Sequence, residues 1–171
     1  NEAGPYAMSA AVRALGQIGT VAAAEVLKTS LDHAPPEGLP DVYEGLFRCA
    51  ERRAGEGQRD AAVGIYDHLR KLPASHQVRA GALRGVILTR GSDGVALLRE
   101  HLRSDDYILF SAACQTALEM PGAEVTQALV AELNGLPADN QILVIWTLGK
   151  RGDATALPAL FALAQKGETA I

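Results

Sequence analysis

Residues 139–166 read DNQILVIWTLGKRGDATALPALFALAQK. In the first half, Ile142, Ile145, Trp146 and Gly149 recur at i, i+3, i+4 and i+7, the spacing that gathers side chains on one face of a helix. Lys150 and Arg151 follow, where cations suit the negative end of the helix dipole. Gly152 can take the left-handed conformation that stops a helix, and Asp153 can cap the next one. Leu157, Leu160, Phe161 and Ala164 then repeat the same spacing. Pro158 belongs in a first turn, where its missing N–H costs least. The stretch predicts a tight turn over 153–157 and regular helix from about Pro158. Neither helix buries its stripe alone, so a hairpin of this kind must stack on others like it.

Four looser versions precede it. The first, over 5–32, places Met8, Ala11, Val12 and Leu15 on one stripe, breaks at Gly19, offers Thr20 as a cap, and places Ala23, Val26, Leu27 and Leu31 on the second stripe. A connector over 33–40 carries three prolines that exclude regular helix. The second, over 40–72, turns Val42, Gly45, Leu46 and Cys49 inward. Its opposite side carries Arg48, Glu51, Arg52, Arg53 and Glu56, a run of mixed sign read as a solvated face. Gly55 and Gly57 end that helix, and Ala62, Ile65, Tyr66 and Leu69 form the next stripe.

The third repeat, over 75–103, opens on Ser75 as a candidate cap. Val78, Ala82, Leu83, Val86 and Ile87 are its core candidates, and Gly81 and Gly85 would let a neighbouring helix approach. After Gly91, Ser92 or Asp93 caps a helix presenting Val95, Leu98 and Leu102. The fourth, over 104–136, starts at Ser104, Asp105 and Asp106, with Leu109, Ala112, Ala113 and Ala117 inward, a turn at Pro121-Gly122, and Val125, Ala128, Leu129 and Leu133 on the second stripe. The fifth runs over 137–166. The turn glycines Gly19, Gly57, Gly91, Gly122 and Gly152 lie 38, 34, 31 and 30 residues apart, a loose period in which the longest step holds the proline connector.

Composition agrees. Hydrophobic residues are 48% of the 171 and aromatics only 5%, so alanine and leucine carry the burial, which suits close-packed helices and gives strands little. One domain spanning 1–171 is expected. The net charge of −4 argues against a nucleic-acid module, which needs a basic face. Cys49 and Cys114 each sit in an apolar helical stretch and read as buried small hydrophobes rather than a disulfide or ligand pair. They leave the redox compartment open. No run reaches the ~20 apolar residues of a membrane span. The chain begins NEAGPY and ends KGETAI, without initiator Met or signal peptide. It is expected to be a segment of a longer protein, with 168–171 as the first turn of another helix and any targeting signal outside.

The segments VRALGQIG at 12–19 and WTLGKRGDATALPAL at 146–160 resemble bacterial HEAT repeats: a first helix ending in Leu-Gly, a Gly-Asp turn, and a second helix opening with Leu-Pro. VRAGALRGVILTRGSDGVALL at 78–98 is a weaker match. Repeats two and four lack the Asp and Pro and rest on periodicity alone. The Trp-Leu-Gly-Tyr set of tetratricopeptide arrays is missing. The resemblance implies an all-α, right-handed α-α superhelix, or solenoid, of about five hairpins, with second helices lining the concave side. It also implies a protein-binding or scaffold role. By the same likeness, such repeats accompany haem-carrying or sugar-handling domains in large bacterial proteins, as spacers or substrate-presenting modules. That leans the location outside the cytoplasm of a bacterium, although the sequence itself leaves the compartment open.

No catalytic motif emerges. His33, His68, His76 and His101 share no metal-ligand spacing, and Glu100-His101 reverses the His-Glu pairs of iron-binding hydroxylases built on HEAT repeats. There is no CxxCH, P-loop or GxSxG. No cofactor, metal or catalytic residue is therefore expected. A HEAT-like DNA glycosylase would need a basic concave face. The concave candidates Lys28, Asp32, Asp60, Asp67, Arg70, Lys71, Arg99, Glu100, Arg103, Gln127 and Glu132 are of mixed sign, and Trp146 is placed on a buried stripe. Bilin-chromophore lyases also use such repeats, but no residue favours that reading. The interaction reading leads, with Asp67, Arg70, Lys71, Arg99 and Arg103 as the candidate partner-binding surface, against the ordinary reading of these as solubilising charges. The partner would be another protein or another domain of the same chain, with self-association through uncapped ends as a further expectation.

Overall fold

The computed structural model describes residues 3–168. Their regular structure is helical throughout: α-helices joined by turns, three of which are single turns of 3-10 helix. The chain divides into two compact units, Asn1–Arg90 and Gly91–Ile171. The boundary falls at the turn of the third expected hairpin.

The first unit contains α1 (Ala3–Ile18), α2 (Val21–Leu31), a 3-10 turn at Pro36–Gly38, α3 (Leu39–Gly55), α4 (Arg59–Lys71) and α5 (His76–Arg90). Helix α1 packs on α2 and α3, α3 on α4 and α5, and α4 on α5. Leu27, Val42, Leu46, Leu69, Leu83 and Ile87 are fully enclosed. The second unit contains a 3-10 turn at Gly91–Asp93, α6 (Gly94–Leu102), α7 (Tyr107–Glu119), α8 (Ala123–Leu133), α9 (Ala138–Arg151), a 3-10 turn at Ala154–Ala156 and α10 (Leu157–Glu168). Here α6 packs on α7 and α8, and α9 packs on both α7 and α8. Leu98, Leu102, Phe110, Leu129, Leu133 and Leu148 are enclosed.

The turns form as the sequence predicts. Gly19, Gly57, Gly91, Gly122 and Gly152 all have positive φ, between 61° and 97°. Thr20 accepts a hydrogen bond from the Ala23 N–H at 3.1 Å. Asp106 accepts from Ile108 and Leu109. Asp153 accepts from the Thr155 N–H at 3.0 Å and so caps the 3-10 turn that leads into α10. Ser75 caps α5 through a long contact of 3.5 Å to the Val78 N–H. Asp93 does not cap: it closes a 3-10 turn in helical conformation, and its side chain makes no hydrogen bond to the α6 amides. Pro40 lies inside the first turn of α3 rather than in the connector, a position that tolerates its missing donor.

Several stripes face differently from expectation. In α9 the buried residues are Val144, Thr147 and Leu148, whereas Ile142, Ile145, Trp146 and Gly149 are exposed. From Ile142 to Gly149 only Thr147 is polar, so helical spacing fits either face. Thr147 marks the wrong side as polar because its hydroxyl donates to the Leu143 carbonyl at 2.8 Å and so needs no water. Leu157 and Phe161 on α10 are exposed as well. In the first hairpin Ala24 replaces Val26 in the core, and Ala11 is exposed. Arg53, expected on the solvated face, is buried. Its guanidinium folds over the helix end to Gln58 at 3.0 Å and Glu56 at 2.7 Å. The expected helix start at the C-terminus lies outside the described residues beyond Glu168, which closes α10.

Candidate functional site

The charged candidates fall into separate ion networks, one in each unit. In the first unit, Asp67 on α4 accepts from Arg70 one turn later at 2.6 Å and from Arg90 at the end of α5 at 3.1 Å. The pairing is a brace between α4 and α5. Lys71 is exposed beside it. In the second unit, Glu132 near the end of α8 is buried and accepts from Arg99 on α6 at 2.9 and 3.0 Å and from Arg103, just past α6, at 2.6 and 2.8 Å. Its position in the last turn of α8 is unfavourable for an anion, and the two guanidinium groups offset that. The hydrogen bonds from Arg103 outweigh desolvation and, with those from Arg99, hold the Glu132 carboxyl below its ordinary value. A cavity of about 560 Å³ opens beside this cluster, lined in part by Arg103, Ser104, Tyr107, Glu132 and Asn140.

Two further arginines absent from the candidate set tie one hairpin to the next. Arg52 on α3 donates to the Gln17 carbonyl at the end of α1, at 2.7 Å. Arg151 on α9 does more. It donates to the carbonyls of Ala117, Met120 and Gly122 and to the Thr126 hydroxyl. The Ala117 and Met120 carbonyls belong to the end of α7, and Gly122 is the N-cap residue of α8, so Arg151 serves the helix terminus that it also suits electrostatically and ties it to the next helix. The local reading of Arg151 as a cation serving its own helix missed acceptors 25 to 34 residues earlier.

Cys49 and Cys114 are both buried and free. Burial pushes the Cys114 thiol up to about 12 and the Cys49 thiol upward also. Neither is poised as a nucleophile at neutral pH. His101 is buried with Nδ1 3.1 Å from the Leu97 carbonyl. Burial, with Lys28 nearby, pushes the His68 imidazole below its ordinary value. Among the described residues no group of three or more His, Cys, Asp or Glu could hold a metal ion, and no helix is long and apolar enough to cross a membrane.

The surface feature that sequence reasoning missed is apolar. Ile142 is 66% exposed, Trp146 51%, Leu157 63% and Phe161 64%, all on α9 and α10 of one hairpin. Lys150 lies over the Trp146 ring at 5.5 Å, which leaves one cation at its border. The signal was present as an α9 sequence apolar on all sides, of which a core can use only one stripe. A second apolar feature is a groove of about 580 Å³ in the first unit, between the starts of α3 and α5, where Tyr43, Phe47, Pro40 and Pro73 meet.

Residues 9–33, most of α1 and all of α2, match the family model of the PBS lyase HEAT-like repeat. No curated protein and no solved structure matches the chain. The chain therefore carries a HEAT-like repeat within an all-α succession of hairpins, a type generally involved in protein interactions.

Proposed function

We propose that this chain is a non-catalytic protein-interaction module, and that its partner, another protein or another domain of its own chain, docks on the face left open by α9 and α10. The observation that carries this is the exposure of Ile142, Ile145, Trp146, Leu157 and Phe161 on a single hairpin. Large apolar side chains concentrated on one element of a soluble surface mark an interaction site, and aromatic anchors carry most of the energy at such sites. The net charge of −4 supports a protein partner over a nucleic acid. The ion networks support a structural role for their members, since each charge meets its counterpart inside its own unit.

A second reading puts the partner on the charged candidates Asp67, Arg70, Lys71, Arg99 and Arg103. Four of these already serve intramolecular pairs, which leaves exposed Lys71 as its strongest support. A photo-crosslinking amino acid placed singly at Phe161, Lys71 and Glu51 in the parent protein, in its own cell, separates the two. The apolar reading expects protein adducts at position 161 well above those at 51. Adducts at 71 instead would transfer the site to the charged surface. Equal, low yields at all three positions would remove both.

A further inference from the structure

One half-buried titratable side chain serves neither the ion networks nor the apolar surfaces. His68 stands on α4, and its Nε2 is fully enclosed without a hydrogen-bond partner among the described residues. The charged groups that act on its ring, Lys28, Glu25 and Asp32, all lie on α2 or at its C-cap, so the ring marks where α4 faces α2. His101 is enclosed too, but its Nδ1 has the Leu97 carbonyl 3.1 Å away. The Nε2 of His68 has no such outlet.

The acids beside the ring are poorly placed to balance a charge on it. Glu25 is 62% exposed and already accepts from Lys28 at 2.8 Å, one turn along α2. Asp32 is open to solvent. Lys28 is the more enclosed member of its pair, at 24%, and acts on the ring more strongly than either acid. The other charges around α4 are engaged elsewhere. On α4 itself Asp67 holds Arg70, from α5 Arg90 reaches Asp67, and from α3 Arg53 turns to Glu56 and Gln58. Lys71, also on α4, is exposed.

A neutral imidazole leaves at most one nitrogen unmet here. An imidazolium has a proton on both nitrogens, so it places a charged N–H at the enclosed Nε2 and a second cation beside Lys28. Helix α2 has little to set against that. It buries Ala23, Ala24 and Leu27, and Thr29 and Ser30 spend their hydroxyls on carbonyls of α2 itself.

We propose that the α2–α4 contact is a pH-sensitive joint, closed while His68 is neutral and loosened in mild acid, when the imidazolium turns out to water and α2 parts from α4. The joint lies within the first unit and stands whether or not a partner docks on α9 and α10. The folded ring resists its proton, so its contribution to stability is full above the unfolded value of about 6.5 and is lost as pH falls through the folded one. That window lies above the one in which Asp and Glu ordinarily titrate.

Two measurements on the whole chain test this. In an NMR titration His68 is expected to take up its proton below pH 6.5, and Lys28→Met is expected to move that titration upward. In hydrogen exchange at about pH 7.5 and about pH 5.5, corrected for intrinsic rates, the α2 amides are expected to lose protection severalfold on acidification in wild type and to keep it in His68→Gln, whose side chain stays neutral. Circular dichroism confirms that the variants fold; should His68→Gln fail to, the wild-type and Lys28→Met titrations decide alone. A His68 titration at or above pH 6.5 overturns the proposal. So does one that Lys28→Met leaves in place, since α2 would then have no part in it. Protection of α2 that is constant in wild type, or that falls equally in His68→Gln, overturns it as well, the latter by assigning the acid sensitivity to another group.

Discussion

At the scale of single residues, Glu132 shows how a charge is used structurally. Its carboxylate is buried, but the heads of Arg99 and Arg103 reach water, with side chains 45% and 61% exposed. Solvent screening therefore limits what the pairs contribute. The folded state holds this carboxyl below its ordinary value of about 4.5. A depressed carboxylate stabilises the fold fully above the unfolded value and loses that contribution as pH falls through the folded one. Urea midpoints of the wild type should thus decline below about pH 4.5, and Glu132→Gln should be less stable at pH 7 and lose less on acidification. Parallel midpoint-against-pH curves for the two proteins would show that Glu132 contributes nothing through ionisation.

At the scale of the element, two glycines in the same register have opposite surroundings. An alanine at Gly16 would drive a methyl into the α3 backbone, with Gly45 Cα at 2.9 Å, and no flexible side chain can move aside. Gly16→Ala should cost about 1–3 kcal/mol by forcing the helices apart. An alanine at Gly149 meets nothing and replaces glycine in an exposed helix interior. Gly149→Ala should stabilise the dilute protein by about 1 kcal/mol. Urea denaturation of both variants checks the pair; equal losses would mean that α9 is covered as α1 is. The same helices show what the sequence made legible. Hairpin boundaries could be read because left-handed glycines and the capping side chains of Thr20, Asp106 and Asp153 act within a few residues of themselves. The face of α9 could not, because Ile142 to Gly149 is apolar on all sides and the satisfied hydroxyl of Thr147 passes for a solvent-facing one. Nor could the ties of Asp67 to Arg90 or Arg151 to Ala117, which join residues 23 and 34 apart and leave no local spacing to detect.

At the scale of the whole chain, burial is unevenly shared among the helices. Helix α3 buries Val42, Gly45, Leu46, Cys49, Ala50 and Arg53, and α7 buries Phe110, Ala113, Cys114, Thr116 and Ala117. Helix α9 buries only Val144, Thr147 and Leu148. Across 157–165 no side chain is buried. Local opening costs least where few apolar contacts are lost, so the helices should open in the order α10, α9 and then the interior of each unit. Hydrogen exchange followed by mass spectrometry, on dilute protein, should show the α10 amides exchanging about a hundredfold faster than those of α3 or α7. Protection of α10 equal to that of α3 in a monomeric sample would mean that α10 is held by contacts beyond its own hairpin. The hairpin that opens first is the one whose apolar residues face outward. If the proposed partner docks on that surface, it should raise the protection of this hairpin.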